Sequence, residues 1–450
     1  MYYYSPDDNI YSSKYVSNMK SLLSYLFILI PFLGLCQINK NHTDKWIDKN
    51  ESENYTARHE CSFVQIGDKF VLFGGRESAQ KLDIYDYKNN TWSTGRMAPK
   101  EFNHFQATAY EGFIWVVAAF KTNNFPREIP EEHVWLYHPP TDNWIQGPEI
   151  PENRRRGGSG LVMYKDKFYV IGGNTIGHDG GYVNWFDEYD PKANTWTVLE
   201  NASQQRDHFS AAVIENKLYA AGGRQSGGEG GVFAPLPAIV DTYDFEVKRW
   251  SVLSENLPTP RAAPGIVVYN GELFVMGGEG EEAGPAYKLV EAYNPKSGLW
   301  SKKKDMNYAR HGTQAILSGN GIHIAAGSPV RAGGNQRNME VYGEDNPKGK
   351  ALVGSKLSAK SEVEIPIGTE TTINLKNTGG NTGCFISTIA LTGDARNQYQ
   401  IESKVEYILV PTGEEMPIVI KHIGKSTNQQ ASLKIVYNGD QVIEIKLKSK

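Results

Sequence analysis

Cysteine is scarce in this 450-residue chain, which contains three in all. Only Cys61 and Cys384 lie beyond the first 36 residues, and neither has the spacing of a metal-binding cysteine cluster. This scarcity excludes a disulfide-rich scaffold. An exported protein can join two such cysteines, but two separately buried thiols are the commoner outcome, and we expect them here.

An excess of charge of one sign is also lacking. The chain has 47 lysines and arginines against 51 aspartates and glutamates, for a net charge of -4, and no basic block interrupts this balance. We therefore expect neither nucleic acid nor an anionic membrane as a partner. A long amphipathic period is missing too, whereas glycine (45) and tyrosine (25) are abundant, which favours an all-β fold.

The apolar runs of the sequence are too short to span a membrane. The apolar stretch at residues 22–35 follows Met19 and Lys20, and small residues precede Gln37 at the positions that signal peptidase requires. We predict a signal peptide over residues 1–36, with its true start at Met1 or Met19, and no transmembrane span in the mature chain.

Export places the mature protein in the periplasm, at the cell surface or in the medium. Cys36 resembles a lipid-attachment cysteine, but Leu35 stands where lipoprotein signals have Gly, Ala or Ser. A lipid anchor is therefore not expected.

Tryptophan recurs every 50 to 54 residues, and each copy has a tyrosine seven residues before it. A pair of small residues closes an apolar run upstream of each copy. Such self-similarity is typical of a repeat protein. The tryptophans are Trp92, Trp144, Trp196, Trp250 and Trp300; the tyrosines are Tyr85, Tyr137, Tyr189, Tyr243 and Tyr293; the small pairs begin at Gly74, Ala118, Gly172, Gly222 and Gly277.

One repeat predicts four antiparallel strands. Residues 161–171 form two apolar runs broken at a polar turn, a third strand leads to Tyr189, and a turn at residues 190–194 leads to a fourth strand with Trp196. Four strands, a Gly-Gly pair and a Tyr/Trp pair in about fifty residues resemble a kelch blade. The resemblance covers residues 46–342.

The two ends of the repeat array fix the number of blades at six. A sixth tyrosine, Tyr342, has Gly349 where the tryptophan should follow, and Trp46 supplies the missing strand from the N-terminal side. We predict a six-bladed kelch propeller over residues 37–345, closed by the strand around Trp46, which removes the open sheet edges.

A second domain follows a Gly-, Lys- and Pro-rich linker at residues 346–357. Residues 358–450 show alternating strands that predict a β-sandwich. Phrases such as residues 375–379 and 410–413 resemble the immunoglobulin-like modules of the HYDIN or choice-of-anchor type, which implies a spacer or docking unit.

Five of the six blades begin with an arginine and carry an acid two residues before the third-strand tyrosine. Blade two has Phe102 and Trp135 instead, so arginine and acid are absent together. We interpret them as structural pairs within each blade, in preference to an anion-binding ring. The pairs are Arg58 with Asp83, Arg156 with Asp187, Arg206 with Asp241, Arg261 with Glu291 and Arg310 with Glu340.

If those arginines are paired with acids, they are not available to a ligand. We therefore expect the ligand-binding residues in the long loops between the second and third strands of the blades and beside these loops. Their arginines, amides and aromatic rings suit a hydroxyl-rich ligand such as a glycan; solvated loops without a ligand are the alternative. The candidate residues are Arg76, Arg154, Arg155, Arg224, Arg331, Tyr182, Trp185 and Phe233.

We expect no cofactor and no metal site. His59, His104, His208 and His311 lie near the start of the first strands, but at offsets of one, two, two and one, which would turn them to different sides. A copper enzyme similar to galactose oxidase is disfavoured, because the Tyr-His pair here, Tyr137 and His138, stands in the third strand of blade two.

The sequence thus favours an exported, noncatalytic propeller that binds a glycan, with acidic polysaccharide as the more specific hypothesis, in polysaccharide capture or degradation. The alternative is a sugar mutarotase or epimerase similar to exported six-bladed sialic acid mutarotases, with Glu229, Glu279, Glu281 or Glu282 as acid beside Arg224 and Arg331. A protein–protein adaptor that binds an extracellular protein is a further reading. The oligomeric state is left open.

Overall fold

The computed structural model describes residues 44–51, 54–404, 406–427 and 430–450, so the predicted signal peptide lies outside the described residues. Six four-stranded antiparallel sheets are followed by two sheets of four and five strands. The predicted all-β fold, a six-bladed propeller plus a C-terminal β-sandwich, is confirmed. The short 3₁₀ helices are Pro139–Thr141, Glu152–Arg154, Gly177–Asp179 and Arg396–Gln398.

The propeller strands run in chain order through the blades. The closing strand is β1 (Trp46–Glu51). Blade one has β2 (Cys61–Ile66), β3 (Lys69–Gly74), β4 (Leu82–Asp86) and β5 (Thr91–Gly95); blade two has β6 (Thr108–Tyr110), β7 (Phe113–Val116), β8 (His133–His138) and β9 (Asn143–Glu149); blade three has β10 (Gly160–Tyr164), β11 (Lys167–Ile171), β12 (Phe186–Asp190) and β13 (Thr195–Val198). Blade four has β14 (Ala211–Ile214), β15 (Lys217–Ala220), β16 (Asp241–Asp244) and β17 (Arg249–Val252); blade five has β18 (Gly265–Tyr269), β19 (Glu272–Met276), β20 (Val290–Asn294) and β21 (Leu299–Lys302); blade six has β22 (Ala315–Ser318), β23 (Gly321–Ala325) and β24 (Asn338–Gly343).

Strand β1 completes blade six. It pairs antiparallel with β24 and sets Trp46 opposite Tyr342, the same register that joins Tyr189 to Trp196 in blade three. The Trp46 indole N–H donates to the Lys304 carbonyl at 2.9 Å, which ties the closing strand to the end of blade five. The N-terminal strand therefore occupies the outer edge that the last repeat lacks.

A ring of backbone hydrogen bonds surrounds the propeller axis. One residue from each blade, two positions after the arginine or its Phe102 equivalent, adopts a φ between 48° and 69°. Five of these residues donate their N–H to the carbonyl of the ring residue in the preceding blade, and the Cys61 N–H bonds to Gly312 at 3.1 Å to close the circle. The ring residues are Glu60, His104, Gly158, His208, Ala263 and Gly312.

Two sheets form the sandwich and enclose one core, to which both contribute, as with Ile418 from the first sheet and Leu433 from the second. The four-stranded sheet has the order β25-β27-β31-β29 and the five-stranded sheet the order β26-β33-β32-β28-β30. The strands are β25 (Lys356–Ser358), β26 (Glu362–Ile365), β27 (Glu370–Thr378), β28 (Cys384–Thr392), β29 (Tyr399–Ile401), β30 (Ile408–Val410), β31 (Glu415–His422), β32 (Gln430–Tyr437) and β33 (Gln441–Ser449).

The sandwich packs against the turns of blades two and three. Phe385 and Leu409 join the same apolar cluster as Trp115 of blade two, and the Leu409 N–H donates to the Pro191 carbonyl at 3.0 Å. These turns lie at the opposite end of the strands from the loops that join second and third strands. The sandwich therefore leaves the loop face of the propeller uncovered.

The described residues contain no helix with the length and apolar character of a membrane span. Cys61 and Cys384 are both buried and unpaired.

Candidate functional site

Each of the five blade arginines forms an ion pair with the acid of its own blade. The side chains of both partners are at most 8 % exposed in every pair, so the charges have little access to water. Arg58 contacts Asp83, and the closest N–O distances in the others are 2.8 Å for Arg156–Asp187, 2.8 Å for Arg206–Asp241, 2.9 Å for Arg261–Glu291 and 3.0 Å for Arg310–Glu340.

The guanidinium group also bonds to the backbone of the second strand. Arg206 donates to the Gly222 carbonyl at 2.7 Å, and Arg58 donates to the Gly74 carbonyl at 3.0 Å. In blade two, Phe102 packs on Trp135 with ring centroids 6.4 Å apart. The arginines are therefore buried inside the blades, and blade two has an aromatic contact in place of the ionic one.

A pocket of about 550 Å³ opens on the loop face at the mouth of the central channel; we call it the mouth pocket. Loops of all six blades contribute to it. Its lining residues are His59, Glu60, Arg76, Glu77, His104, Asn123, Phe125, His178, Arg224, Phe233, Glu279, His311, Ala332, Gly333 and Gly334.

Two of the predicted binding arginines line this pocket, and both are paired with acids. Arg76 binds Glu128 and lies 6.0 Å from the centre of the Phe125 ring. Arg224 is buried, binds Glu279 and lies 5.1 Å from the centre of the Phe233 ring. The pocket thus combines compensated charges with two aromatic rings.

The predicted residues Phe233 and Arg331 lie together. The Arg331 guanidinium stacks on Phe233 at 4.3 Å and donates to the Glu281 carbonyl, which fixes the ring from outside the pocket. Among the four acids considered for sugar chemistry, Glu279 lines the mouth pocket, Glu281 and Glu282 line a neighbouring one, and Glu229 is exposed.

The remaining predicted binding residues lie elsewhere. Arg154 forms a bidentate pair with Asp187 at 2.9 and 3.0 Å and stacks on Trp185 at 4.3 Å, so it shares the acid of Arg156. Arg155 and Trp185 line a separate groove of about 330 Å³. Tyr182 lies beside Gly228 in the loop of blade four.

The histidines form two groups that follow their sequence offsets. His59 and His311 have ring centroids 5.9 Å apart, and His59 pairs with Glu77. His104 and His208 lie deeper, with centroids 4.5 Å apart. Burial holds the pKa of both His104 and His208 well below the usual value, so their imidazoles are uncharged near neutral pH.

Glu279 carries a negative charge in this setting. Burial alone would raise the pKa of its carboxyl, but His311, Arg224 and the Ala332 N–H outweigh burial and lower the pKa to about 2. Three acids line the mouth pocket, namely Glu60, Glu77 and Glu279, whereas only two arginines line it.

Three residues that matter to the pocket were missed from the sequence. Phe125, Glu128 and His178 belong to the loops that follow the second strands of blades two and three. The Glu128 carboxylate accepts from His178 at 2.9 Å and also binds Arg76. The repeat pattern does not extend into these loops. The sequence therefore contains no indication that Glu128 and His178 lie close together.

The residues that suggested a copper enzyme are not in the mouth pocket. Tyr137 and His138 end β8 near the sandwich, where the Thr141 hydroxyl donates to the Asn438 carbonyl at 3.3 Å. Burial raises the pKa of the Cys61 thiol to about 12, and its sulfur lies 3.6 Å from the Gly312 carbonyl oxygen.

Comparison with known families agrees with the fold. Residues 34–278, more than half of the chain, match the Attractin/LZTR1 beta-propeller family, and residues 260–307 match the Kelch motif. The chain belongs to the Attractin/LZTR1 β-propeller family. As a kelch propeller it is a scaffold of the kind that binds proteins. Neither family match reaches the sandwich, whose immunoglobulin-like character stays a prediction.

Relatives of this family member include Kelch-like protein terF of Aspergillus terreus (strain NIH 2624 / FGSC A1156), 26% identical over 294 residues, which are 61% of this chain and 61% of the relative. Kelch-like protein 23 of Homo sapiens is 24% identical over 264 residues, which are 57% of this chain and 43% of the relative. The chain spans less than two thirds of these relatives. A structure titled "Structure of YjhT" has a TM-score of 0.54 at 15% identity and covers 64% of this chain and 95% of that one, which shows a shared fold.

Proposed function

We propose that the mouth pocket binds the terminal sugar of a glycan. The observation that carries this proposal is the pair of aromatic rings, Phe125 and Phe233, that line a polar pocket of about 550 Å³ together with Asn123 and buried ionic groups. Aromatic faces pack on the apolar faces of sugar rings, while amides, carboxylates and guanidinium groups bond to hydroxyls. The open loop face gives a polymer chain access to the pocket.

The charge of the pocket favours a neutral sugar over an acidic one. Arg76 and Arg224 are each paired with a carboxylate, and the lining acids outnumber the lining arginines by three to two. A ligand carboxylate would meet an excess of negative charge. Acidic polysaccharide therefore ranks second as the ligand.

A glycan array on the purified protein tests this proposal, with the variants Phe233→Ala and Trp185→Ala. Loss of a stacked ring should weaken binding by about tenfold or more, about 1.4 kcal/mol. We expect neutral glycans to bind the wild type, Phe233→Ala to lose them, and Trp185→Ala, in the separate groove, to keep them. No binding across neutral and anionic glycans would contradict the proposal and favour a protein–protein adaptor.

A sugar mutarotase is the second candidate, because Glu279 lies in the pocket beside Arg224 and His311. General acid–base groups suffice for opening a sugar ring. The low pKa of Glu279 makes it a weak base, which is why binding ranks first. NMR measurement of anomer exchange distinguishes the two: catalysis predicts faster exchange that Glu279→Gln abolishes, and an unchanged rate excludes it.

We also propose that the protein is exported after cleavage at residues 36–37, on the basis of the sequence pattern described above. N-terminal sequencing of protein recovered from the source cells should begin at Gln37. Protein that retains residues 1–36 would contradict cleavage.

A further inference from the structure

Three histidines converge at the floor of the mouth pocket. His104, His178 and His208 are all at most 5 % exposed, and one potential ligand nitrogen from each lies within 4.8 Å of the others. Their ring centroids are 4.5 to 4.9 Å apart. His104 and His208 come from the axial backbone ring, whereas His178 comes from a loop of blade three.

A separate polar group fixes each of these imidazoles through Nδ1. The Nδ1 atom of His104 bonds to Asn103 Oδ1 at 2.6 Å, that of His208 to Asp207, and that of His178 to Glu128 at 2.9 Å. An acceptor at Nδ1 places the proton there and leaves the Nε2 lone pair free. Metal-bound histidines are typically held in this way.

The Nε2 atoms of His104 and His208 are buried and have no hydrogen-bond partner in the structure. The nearest acid to His104 Nε2 is Glu60, at 3.6 Å, which is beyond hydrogen-bond distance. A buried polar atom without a hydrogen-bond partner destabilises a folded protein. Two such atoms side by side indicate a ligand that accepts electron pairs from both.

The backbone conformation at these two histidines places their imidazoles at the propeller axis. His104 and His208 have φ values of 48° and 52°, in the left-handed region that all six residues of the axial ring share, including Ala263. Backbone hydrogen bonds link the ring residues from blade to blade and hold this conformation. The ring therefore presents both imidazoles on a fixed backbone.

The charges around the cluster favour a cation. Four acids surround the three imidazoles, namely Glu60, Glu128, Asp207 and Glu279, against Arg76 and Arg224. His104 and His178 also line the mouth pocket. An ion held here would therefore have one side open to the pocket, as catalytic and ligand-binding metal sites do.

We propose that His104, His178 and His208 bind one divalent first-row transition ion, with Glu60 as the adjacent carboxylate. Three imidazole nitrogens are a donor set for Zn²⁺ and its neighbours in the series. The open position takes water or a hydroxyl of a bound ligand. This inference stands apart from glycan binding, since it rests on the histidine cluster alone.

Zinc titration of the metal-stripped full chain by calorimetry, with stoichiometry from elemental mass spectrometry, tests the site. We expect one equivalent of Zn²⁺ to bind the wild type and binding to fall about a hundredfold or more in His208→Gln and His178→Gln. Asp207→Asn, which alters a positioning residue, should weaken Zn²⁺ binding by about 10–100-fold. Either the absence of stoichiometric binding or equal binding by all variants overturns the proposal.

The control is His133→Gln, because Glu131, Glu132 and His133 form the other cluster of potential metal ligands in the described residues. We expect this variant to bind Zn²⁺ as the wild type does; if it alone loses binding, the ion belongs to that cluster. His178→Gln changes a loop residue and leaves the axial ring intact, so its binding is informative even if His208→Gln fails to fold. Circular dichroism identifies such failure.

Discussion

The blade arginines are structural residues, because each is paired with an acid of its own blade. Arg206 is fully buried, and it binds Asp241 and the Gly222 carbonyl, so its charge is committed to holding second and third strands together. We expect Arg206→Met to lower the free energy of unfolding by about 3–5 kcal/mol, because the Asp241 charge is left buried and unpaired. Urea denaturation measures this loss.

A double variant separates the ion pair from simple loss of packing. Arg206→Met with Asp241→Leu removes both charges, and blade two shows that apolar side chains fill these positions. We expect the double variant to recover part of the lost stability. A double variant no more stable than Arg206→Met would show that the pairing interpretation is wrong.

His138 gives stability a dependence on pH. Burial lowers the pKa of this histidine to about 4, while an unfolded histidine titrates near about 6.5. The unfolded state therefore binds more protons between these pH values. The contribution of His138 to stability is complete above about pH 6.5, and about 3 kcal/mol of it is lost as the pH drops to about 4.

Unfolding free energies at pH 7 and pH 5 check this prediction in His138→Gln and in His133→Gln, a control at the more exposed start of the same strand. We expect the pH-dependent loss to shrink in His138→Gln and to persist in His133→Gln. Equal losses in wild type and His138→Gln would show that other groups cause the dependence.

Among the structural elements, β1 closes the ring of blades by pairing with β24. Trp46 is buried against Tyr342 with ring centroids 5.3 Å apart. Trp46→Ala should cost about 3–5 kcal/mol, and deletion of residues 37–51 should expose the edge of β24. We expect the deleted protein to self-associate in size-exclusion chromatography with light scattering. A monomer with unchanged melting temperature would contradict a closing role for β1.

The strands were predictable from sequence, whereas the pocket was only partly so. Tyr189 and Trp196 recur at fixed spacing, so the register of each blade follows from one repeat. The position of Trp46 followed from the same spacing. Long loops carry no repeat, so the approach of Glu128 to His178 depends on tertiary packing that spacing does not encode. The distance of each histidine from the arginine or Phe102 of its blade nevertheless predicted two groups. The structure has these groups, His104 with His208 and His59 with His311.

For the whole molecule, propeller and sandwich share an apolar cluster. Phe385 and Leu409 of the sandwich pack with Phe113 and Trp115 of blade two, all of them buried. We expect calorimetry to show one cooperative unfolding transition for the wild type. Phe385→Asp buries an unpaired charge in this cluster and should separate the transition into two or lower its temperature sharply. A wild-type protein with two widely separated transitions would contradict tight coupling.

The organisation of the whole molecule places a closed β scaffold beneath a polar pocket, with the sandwich on the far face. Soaking crystals of the protein with the best glycan from the array tests the central claim most directly. We predict difference density for a sugar ring in contact with Phe125 and Phe233 at the channel mouth. Density for the glycan only in the groove beside Arg155 and Trp185, or on the sandwich, would contradict it.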